Sequence, residues 1–343
     1  MPDDMLFADA ERSAAKHKEY ALLSQVAHMY YDLDMLQPEI AAKLFFSRSK
    51  VSRMLTQAKQ LGIVEIKVRR IVDRVPSMEK KLRDTFGLKE AVVISSFESQ
   101  SDAELIQTLT DFAALYVSGL LKGRCKVGIS DGRTINEVVK KLRKVTPCNL
   151  EVVQLIGSTS NTFLAVESRH MVDEMLSIFS GKGYFLNTPI YIDDVYAKEV
   201  LLKDPTVREV FDHMRSCGLL LTRVGALNDP ERGVRQWYGY QTREHMEELR
   251  EKGAVGSVCA QYYDIDGKLV PSEWNDKCIA MPLEDVRKNE QTIGIAAGDE
   301  KARPILGALR GRLLNVLVTD AATATLVMQM HEESDDSVNS SRR

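Results

Sequence analysis

Apolar residues at Ala21, Leu22, Val26, Met29 and Tyr30 recur at helical spacing near the start of the chain, so a helix is expected from about residue 18. Two shorter helical stretches follow. In Leu36 to Leu44, Pro38 is tolerated in the first turn, Ile40, Ala41 and Leu44 share a face, and the small Ala41 lets another helix cross closely. Phe45-Phe46 then make a turn. Ser47 suits the N-cap of a second helix, Arg48 to Leu61, which would bury Val51, Leu55, Ala58 and Leu61 and end at Gly62. From Ile63 to Val68 apolar and polar residues alternate, the period of a half-buried strand. Arg69 to Ser77, with Arg69, Arg70, Arg74 and the helix-breaking Pro76, reads as a linker. The helical stripe after Arg74 either contributes to assembly or packs on the domain that follows.

Beyond the linker the period changes. Apolar runs at Ala91–Ile94, Cys125–Ile129, Val152–Ile156, Leu219–Leu221, Thr292–Ala296 and Asn315–Val318 alternate with helical stretches such as Asp102–Lys122. That order predicts an α/β domain with a largely parallel sheet, whose ligands bind at the carboxyl ends of the strands. The expected plan is an N-terminal tail at 1–17, a helix-turn-helix DNA-binding domain at 18–70, a linker at 71–77, an effector domain at 78–330 and a polar, frayed tail at 331–343.

Two domains also suit a chain of 343 residues. The overall net charge of −3 argues against nucleic acid coating the whole surface. The segment Gln37–Arg70, however, holds eight basic residues against two acidic ones, a local balance of +6, which suits phosphate contact at this end. The first turns of the second helix would expose Arg48, Ser49, Lys50, Ser52 and Arg53, side chains able to reach base edges or phosphates in a major groove. The start of the chain carries no basic segment leading into an apolar core, and no run approaches the length of a membrane span, so a cytoplasmic protein is expected. The five cysteines are scattered without a C-x-x-C pair and the six histidines form no metal motif, so neither a disulfide framework nor a metal or other cofactor is expected.

Several loops in the α/β region carry chemistry. Val127–Thr134 runs from strand through Gly132 into a helix, where backbone N–H groups, the Thr134 hydroxyl and the Arg133 guanidinium make a cradle suited to phosphate. Gly157-Ser158, followed by Thr159, Ser160, Asn161 and Thr162, is either a polar binding loop or a solvated turn. Asn187-Thr188-Pro189 is a third polar loop. Asp264 either belongs to a hairpin turning at Asp266-Gly267 or points at sugar hydroxyls. Lys301, at a strand's exit, stands where it could meet a phosphate.

The run Gln37-x-Glu39-Ile40-Ala41, Ser47-Arg48, Val51-Ser52-Arg53-x-Leu55 and Leu61-Gly62-Ile63-Val64 resembles the winged helix-turn-helix of the SorC family of sugar-responsive bacterial regulators. Gly132-Arg133-Thr134, Gln154–Ser158, Gly253–Gly256, Asp264-x-Asp266-Gly267, Ala297-Gly298-x-x-Lys301 and Leu317–Asp320 are similar, in order, to that family's effector domain. The resemblance implies a winged helix-turn-helix followed by a Rossmann-like, sugar-phosphate-isomerase-like α/β domain that senses rather than catalyses. It implies Gln37 and Arg48 to Arg53 as DNA-facing positions, and Gly132, Arg133, Thr134, Gly157, Ser158, Asp264 and Lys301 as positions for an effector, typically a phosphorylated sugar or related metabolite. The implied partners are operator DNA, that effector and further copies of the chain in a dimer or tetramer. The competing class is a sugar-phosphate isomerase or deaminase with an added DNA-binding domain, which needs a carboxylate or histidine as general base. The chain departs from the family pattern at Ser130-Asp131, where a bulkier residue is common, at Arg223-Val224-Gly225 in place of Gly-Ile-Gly, and at Ser257 in place of Asp. These positions surround the expected pocket, so the family's usual ligands are not carried over.

Overall fold

The computed structural model describes residues 3–64, 73–96, 100–144, 148–158, 168–227 and 241–340. The chain divides into two compact units, Met1–Ile71 and Val72–Arg343.

The first unit holds α1 (Asp3–Tyr31), α2 (Gln37–Leu44) and α3 (Arg48–Gln60). Leu23, Val26, Ala27 and Met29 of α1 meet Ile40 and Ala41 of α2 and Val51, Met54, Leu55 and Ala58 of α3 in one core. The first helix starts well ahead of residue 18, where a tail was expected. The stretch from Asp3 to His17 has no Gly or Pro and four alanines, a composition that favours helix. Met54 rather than Leu61 completes the buried stripe of α3, because the helix stops at Gln60 and Leu61 is 40% exposed. Gly62, at φ 70°, lets Ile63 N–H reach Ala58 O and Gly62 N–H reach Lys59 O, closing the helix in a Schellman arrangement. Of the expected wing strand, Ile63 to Val68, residues 65–68 lie outside the described residues.

In the second unit the helices are α4 (Pro76–Phe86), α5 (Asp102–Leu120), α6 (Arg133–Lys141), α7 (Ser168–Ile178), α8 (Val195–Leu202), α9 (Pro205–Arg215), α10 (Arg243–Glu251), α11 (Glu273–Lys277), α12 (Leu283–Lys288), α13 (Asp299–Arg310) and α14 (Ala321–Ser340). The strands are β1 (Glu90–Ile94), β2 (Gly123–Ile129), β3 (Cys148–Gln154), β4 (Ser180–Tyr184), β5 (Leu219–Arg223), β6 (Gly225–Ala226), β7 (Gly256–Val258), β8 (Gln261–Tyr263), β9 (Thr292–Ile295) and β10 (Val316–Asp320). Seven of them form a parallel sheet in the order β1-β10-β9-β5-β2-β3-β4, and β6-β7-β8 make a small antiparallel sheet. Side chains alternate between two cores, one on each face. Ala91, Val93 and Leu220 point into one; Val92, Ile94, Leu219 and Leu221 point into the other. Both faces are covered by helices, which is why these strands read as nearly continuous apolar runs.

Pro76 begins a helix rather than breaking one. Its fixed φ suits the first helical position, and Leu82 of that helix is buried against the sheet core. The chain is already attached at Asp73, since Val75 N–H bonds Val93 O and Ser95 N–H bonds Asp73 O. At the other end α14 continues through the expected tail. Arg310 bonds His331 and Ser334, Lys81 Nζ lies 2.9 Å from Glu332, and the Phe86 ring lies 5.0 Å from that of His331.

Candidate functional site

Strand order locates the site before any side chain does. After β2 the chain turns toward β3 and β4, whereas after β5 it turns toward β9 and β10. The connections leave on opposite faces, because α6 packs in one core and α12 and α13 in the other. Between the ends of β2 and β5, neighbours through Ile129 and Leu221, the loops therefore diverge and leave a crevice, the place where open α/β sheets bind ligands.

The cleft there is lined by Ile106, Arg133, Thr134, Arg223, Val224, Ile295, Ala296, Ala297 and Lys301. Two helices begin at it. Gly132 precedes α6 at φ 112°, ψ 155°, and Gly298 precedes α13 at φ 108°, ψ 150°, and neither helix start has a side-chain cap. Such starts offer backbone N–H groups to an anion. Thr323 fixes the second of them. Its hydroxyl accepts from Gly298 N–H at 2.8 Å and donates to Asp320 Oδ1 at 2.6 Å, with Asp320 itself buried.

Arg223, at the end of β5, crosses the cleft. Its Nη2 lies 3.4 Å from Asp131 Oδ2, and the two side chains are 11% and 8% exposed. The guanidinium stem passes so close over Gly132 that a Cβ there would stand 2.3 Å from Arg223 Cδ, and a Cβ on Gly225 would stand 2.9 Å from Nη1 and 2.2 Å from Ser257 Oγ. Two glycines make room for one arginine. Complete burial pushes the nearby Cys259 thiol up to about 12, so it is no nucleophile at neutral pH.

Of the residues expected from sequence, Gly132, Arg133, Thr134 and Lys301 converge here. Lys301 lies beyond the end of β9, in the first turn of α13, and is buried. Gly157 and Ser158 follow β3, one strand further along. Gly157 N–H bonds Ile279 O, and Ser158 pairs with the Thr188 loop through N–H to Thr188 O at 2.8 Å; the remaining hydroxyls of that loop, 159–162, lie outside the described residues. Asp264 is not brought to the cleft. Its carbonyl faces Gly307, in the second half of α13, while Lys301 sits at that helix's start. The Asp264 carboxylate accepts from Asp266 N–H at 3.0 Å and Lys268 N–H at 2.9 Å, closing its own turn. Arg223 was absent from the expected set.

In the first unit Arg48, Ser49, Lys50, Ser52 and Arg53 are exposed on the opening turns of α3, and Gln37 is half-buried at the start of α2. Ser47 Oγ accepts from Lys50 N–H at 3.2 Å, capping α3. Glu39 turns back to accept from Leu36 N–H at 2.8 Å, capping α2. Arg53 Nε reaches Ser49 O, and the Lys50 ammonium stands 3.8 Å from the centroid of the Phe46 ring.

The family model described as "Putative sugar-binding domain" matches residues 72–329. The sorbitol operon regulator of Klebsiella pneumoniae is 29% identical over 90% of this chain and 98% of its own length. Its full-length crystal structure aligns with a TM-score of 0.69 at 28% identity, covering 90% of this chain and 98% of that one. The deoxyribonucleoside regulator of Bacillus subtilis (strain 168) is 30% identical over 88% of this chain and 95% of its own.

Proposed function

The chain belongs to the SorC family of sugar-binding transcriptional regulators, and on that premise we propose that α3 docks in operator DNA while a small phosphorylated ligand in the cleft sets how tightly it does so. Gln37, Arg48, Ser49, Lys50, Ser52 and Arg53 supply the DNA contacts, with Arg53 on the face that reads bases. Arg133, Thr134, Lys301 and the two glycine-led helix starts hold the phosphate, and Arg223 joins them. Gly157 and Ser158 border the sugar end. Asp264 serves its turn and contributes no ligand contact.

The observation that carries this reading is the meeting of Arg133, Thr134, Arg223 and Lys301 at the point where the strand order reverses. The relatives are named a sorbitol operon regulator and a deoxyribonucleoside regulator, so the regulated genes are expected to serve carbohydrate metabolism, and the chain to act as a cytoplasmic homo-oligomer. Sensing rather than turnover fits the cleft: among the described residues its lining holds neither histidine nor carboxylate, and Asp131 beside it is engaged by Arg223.

The coupling is a linkage between two states. A differential of ~1–3 kcal/mol changes operator affinity roughly 5- to 150-fold. The test is a thermal-shift screen of the whole protein against phosphorylated sugars and polyols, followed by Lys301→Ala. The ligand that raises the melting temperature is expected to bind the variant roughly 10- to 100-fold more weakly, with operator binding kept. An unchanged dose response would remove Lys301 from the site, and turnover of the ligand would replace the sensor reading with an enzymatic one.

A further inference from the structure

Phe45 closes α2 in the left-handed conformation, at φ 56° and ψ 39°. A glycine or asparagine holds that conformation with little strain, whereas the Cβ of a phenylalanine is crowded there. The ring recovers nothing by burial, being 95% exposed, the most exposed of the large apolar residues described. Its neighbour Phe46, by contrast, packs partly against the unit's core and carries the Lys50 ammonium on its face. At position 45 the unit thus holds a side chain that is strained in the backbone and unused in the core. A residue costly on both counts points to a use outside the fold.

Its surroundings say which. Phe45 lies two residues before Ser47, the N-cap of α3, and three residues before Arg48, so its Cα is within about 11 Å of that of Arg48. Lys43, Arg48 and Lys50, all exposed, flank it along the chain. An apolar ring among exposed cations, just ahead of the start of the helix that carries Arg48, Ser49 and Lys50, matches a polyanion whose groove also offers thymine methyl groups and deoxyribose. We propose that Phe45 is a DNA-contacting residue, its ring laid against the apolar edge of the groove that α3 enters. This rests on the assignment of the first unit to operator DNA.

The test uses the full-length protein. Duplexes are selected from a random-sequence pool by the wild type, and affinities for a selected and an unrelated duplex are measured for the wild type, Phe45→Gly, Phe45→Ala and Phe45→Leu. The glycine and alanine variants are expected to bind the selected duplex roughly ten-fold more weakly, and Phe45→Leu to recover part of the loss. Phe45→Gly is expected to melt at or above the wild-type temperature, because the backbone strain is relieved. Wild-type affinity in Phe45→Gly would overturn the proposal and leave the ring to a protein partner. A clearly lower melting temperature in that variant would also overturn it, making the ring structural. If the wild type itself selects no duplex, the DNA-binding assignment fails first and this inference goes with it.

Discussion

Gly132→Ala measures whether the cleft is built as described. At φ 112° and ψ 155° the backbone occupies a region that residues with a Cβ rarely enter, at a cost of about 1–3 kcal/mol. The added methyl would also stand 2.3 Å from Arg223 Cδ and 2.8 Å from its Nε, so the arginine must leave its rotamer, for about 0.5–1.5 kcal/mol. The expected destabilisation of the second unit is therefore about 2–4 kcal/mol, a fall of roughly 5–15 °C in its melting temperature for a unit of this size. Gly87→Ala is the internal control. Gly87 closes α4 at φ 66°, and nothing lies within 4 Å of where its Cβ would be. That substitution isolates the left-handed cost, about 1–2 kcal/mol. Calorimetry of the two variants, followed by titration of the effector found by thermal shift, should show the larger fall and the lost response in Gly132→Ala alone. Equal melting temperatures with an intact response would mean that Arg223 does not lie over Gly132, and the description of the cleft would be wrong.

Thr323→Val keeps the shape but strands Gly298 N–H and removes one donor from the buried Asp320; a loss of about 2–4 kcal/mol is expected by thermal denaturation. Effector affinity should fall too, although Thr323 does not line the cleft, and Thr323→Ser should restore both. His213 gives a pH signature. Burial, then the ammonium of Lys126 at 2.9 Å from Nδ1, lower its pKa from the ordinary 6.5. Between the lowered value and 6.5 the unfolded chain binds the proton and the folded one does not, so stability is complete above about pH 6.5 and declines as the pH falls through that value. His213→Gln should flatten that part of a melting-temperature-against-pH curve, and an unchanged slope would assign it to other groups.

The fold was legible where one rule decided the local outcome. Ser47 as a cap, Gly62 as a terminator and the six apolar runs each depend on nearby residues, and each lies in the element expected of it. The misses lie where no such local rule applies. Ser180-Gly181-Lys182-Gly183-Tyr184 is not among the apolar runs, yet it is β4, at the edge of the sheet, and glycine is needed there because a Cβ on Gly181 would strike Leu150 O. The hairpin between β7 and β8 turns on Cys259 and Ala260, both at positive φ without glycine or asparagine, so no turn signal marks it. Helix α14 outlasts its apolar stripe because Arg310, Lys81 and Phe86 hold its polar turn, contacts between residues far apart in the chain.

The cleft was legible in part for a different reason. Gly132, Arg133 and Thr134 are consecutive, and Lys301 follows a glycine after a strand, so motif spacing finds them. Arg223 belongs to no motif; its role depends on Asp131, 92 residues away, which becomes a neighbour only because β2 and β5 are adjacent. A signal was nevertheless present. The three places where the chain leaves its family's pattern, at Asp131, Arg223 and Ser257, meet in the structure, since Arg223 pairs with Asp131 and its tip and the Ser257 hydroxyl both crowd Gly225. An arginine set in a nearly closed cleft needs a counter-charge, because a buried charge without one is strongly unfavourable. Aspartate at 131 supplies it, and a small serine at 257 leaves space beside it. The three departures are thus one change in the charge and shape of the pocket floor.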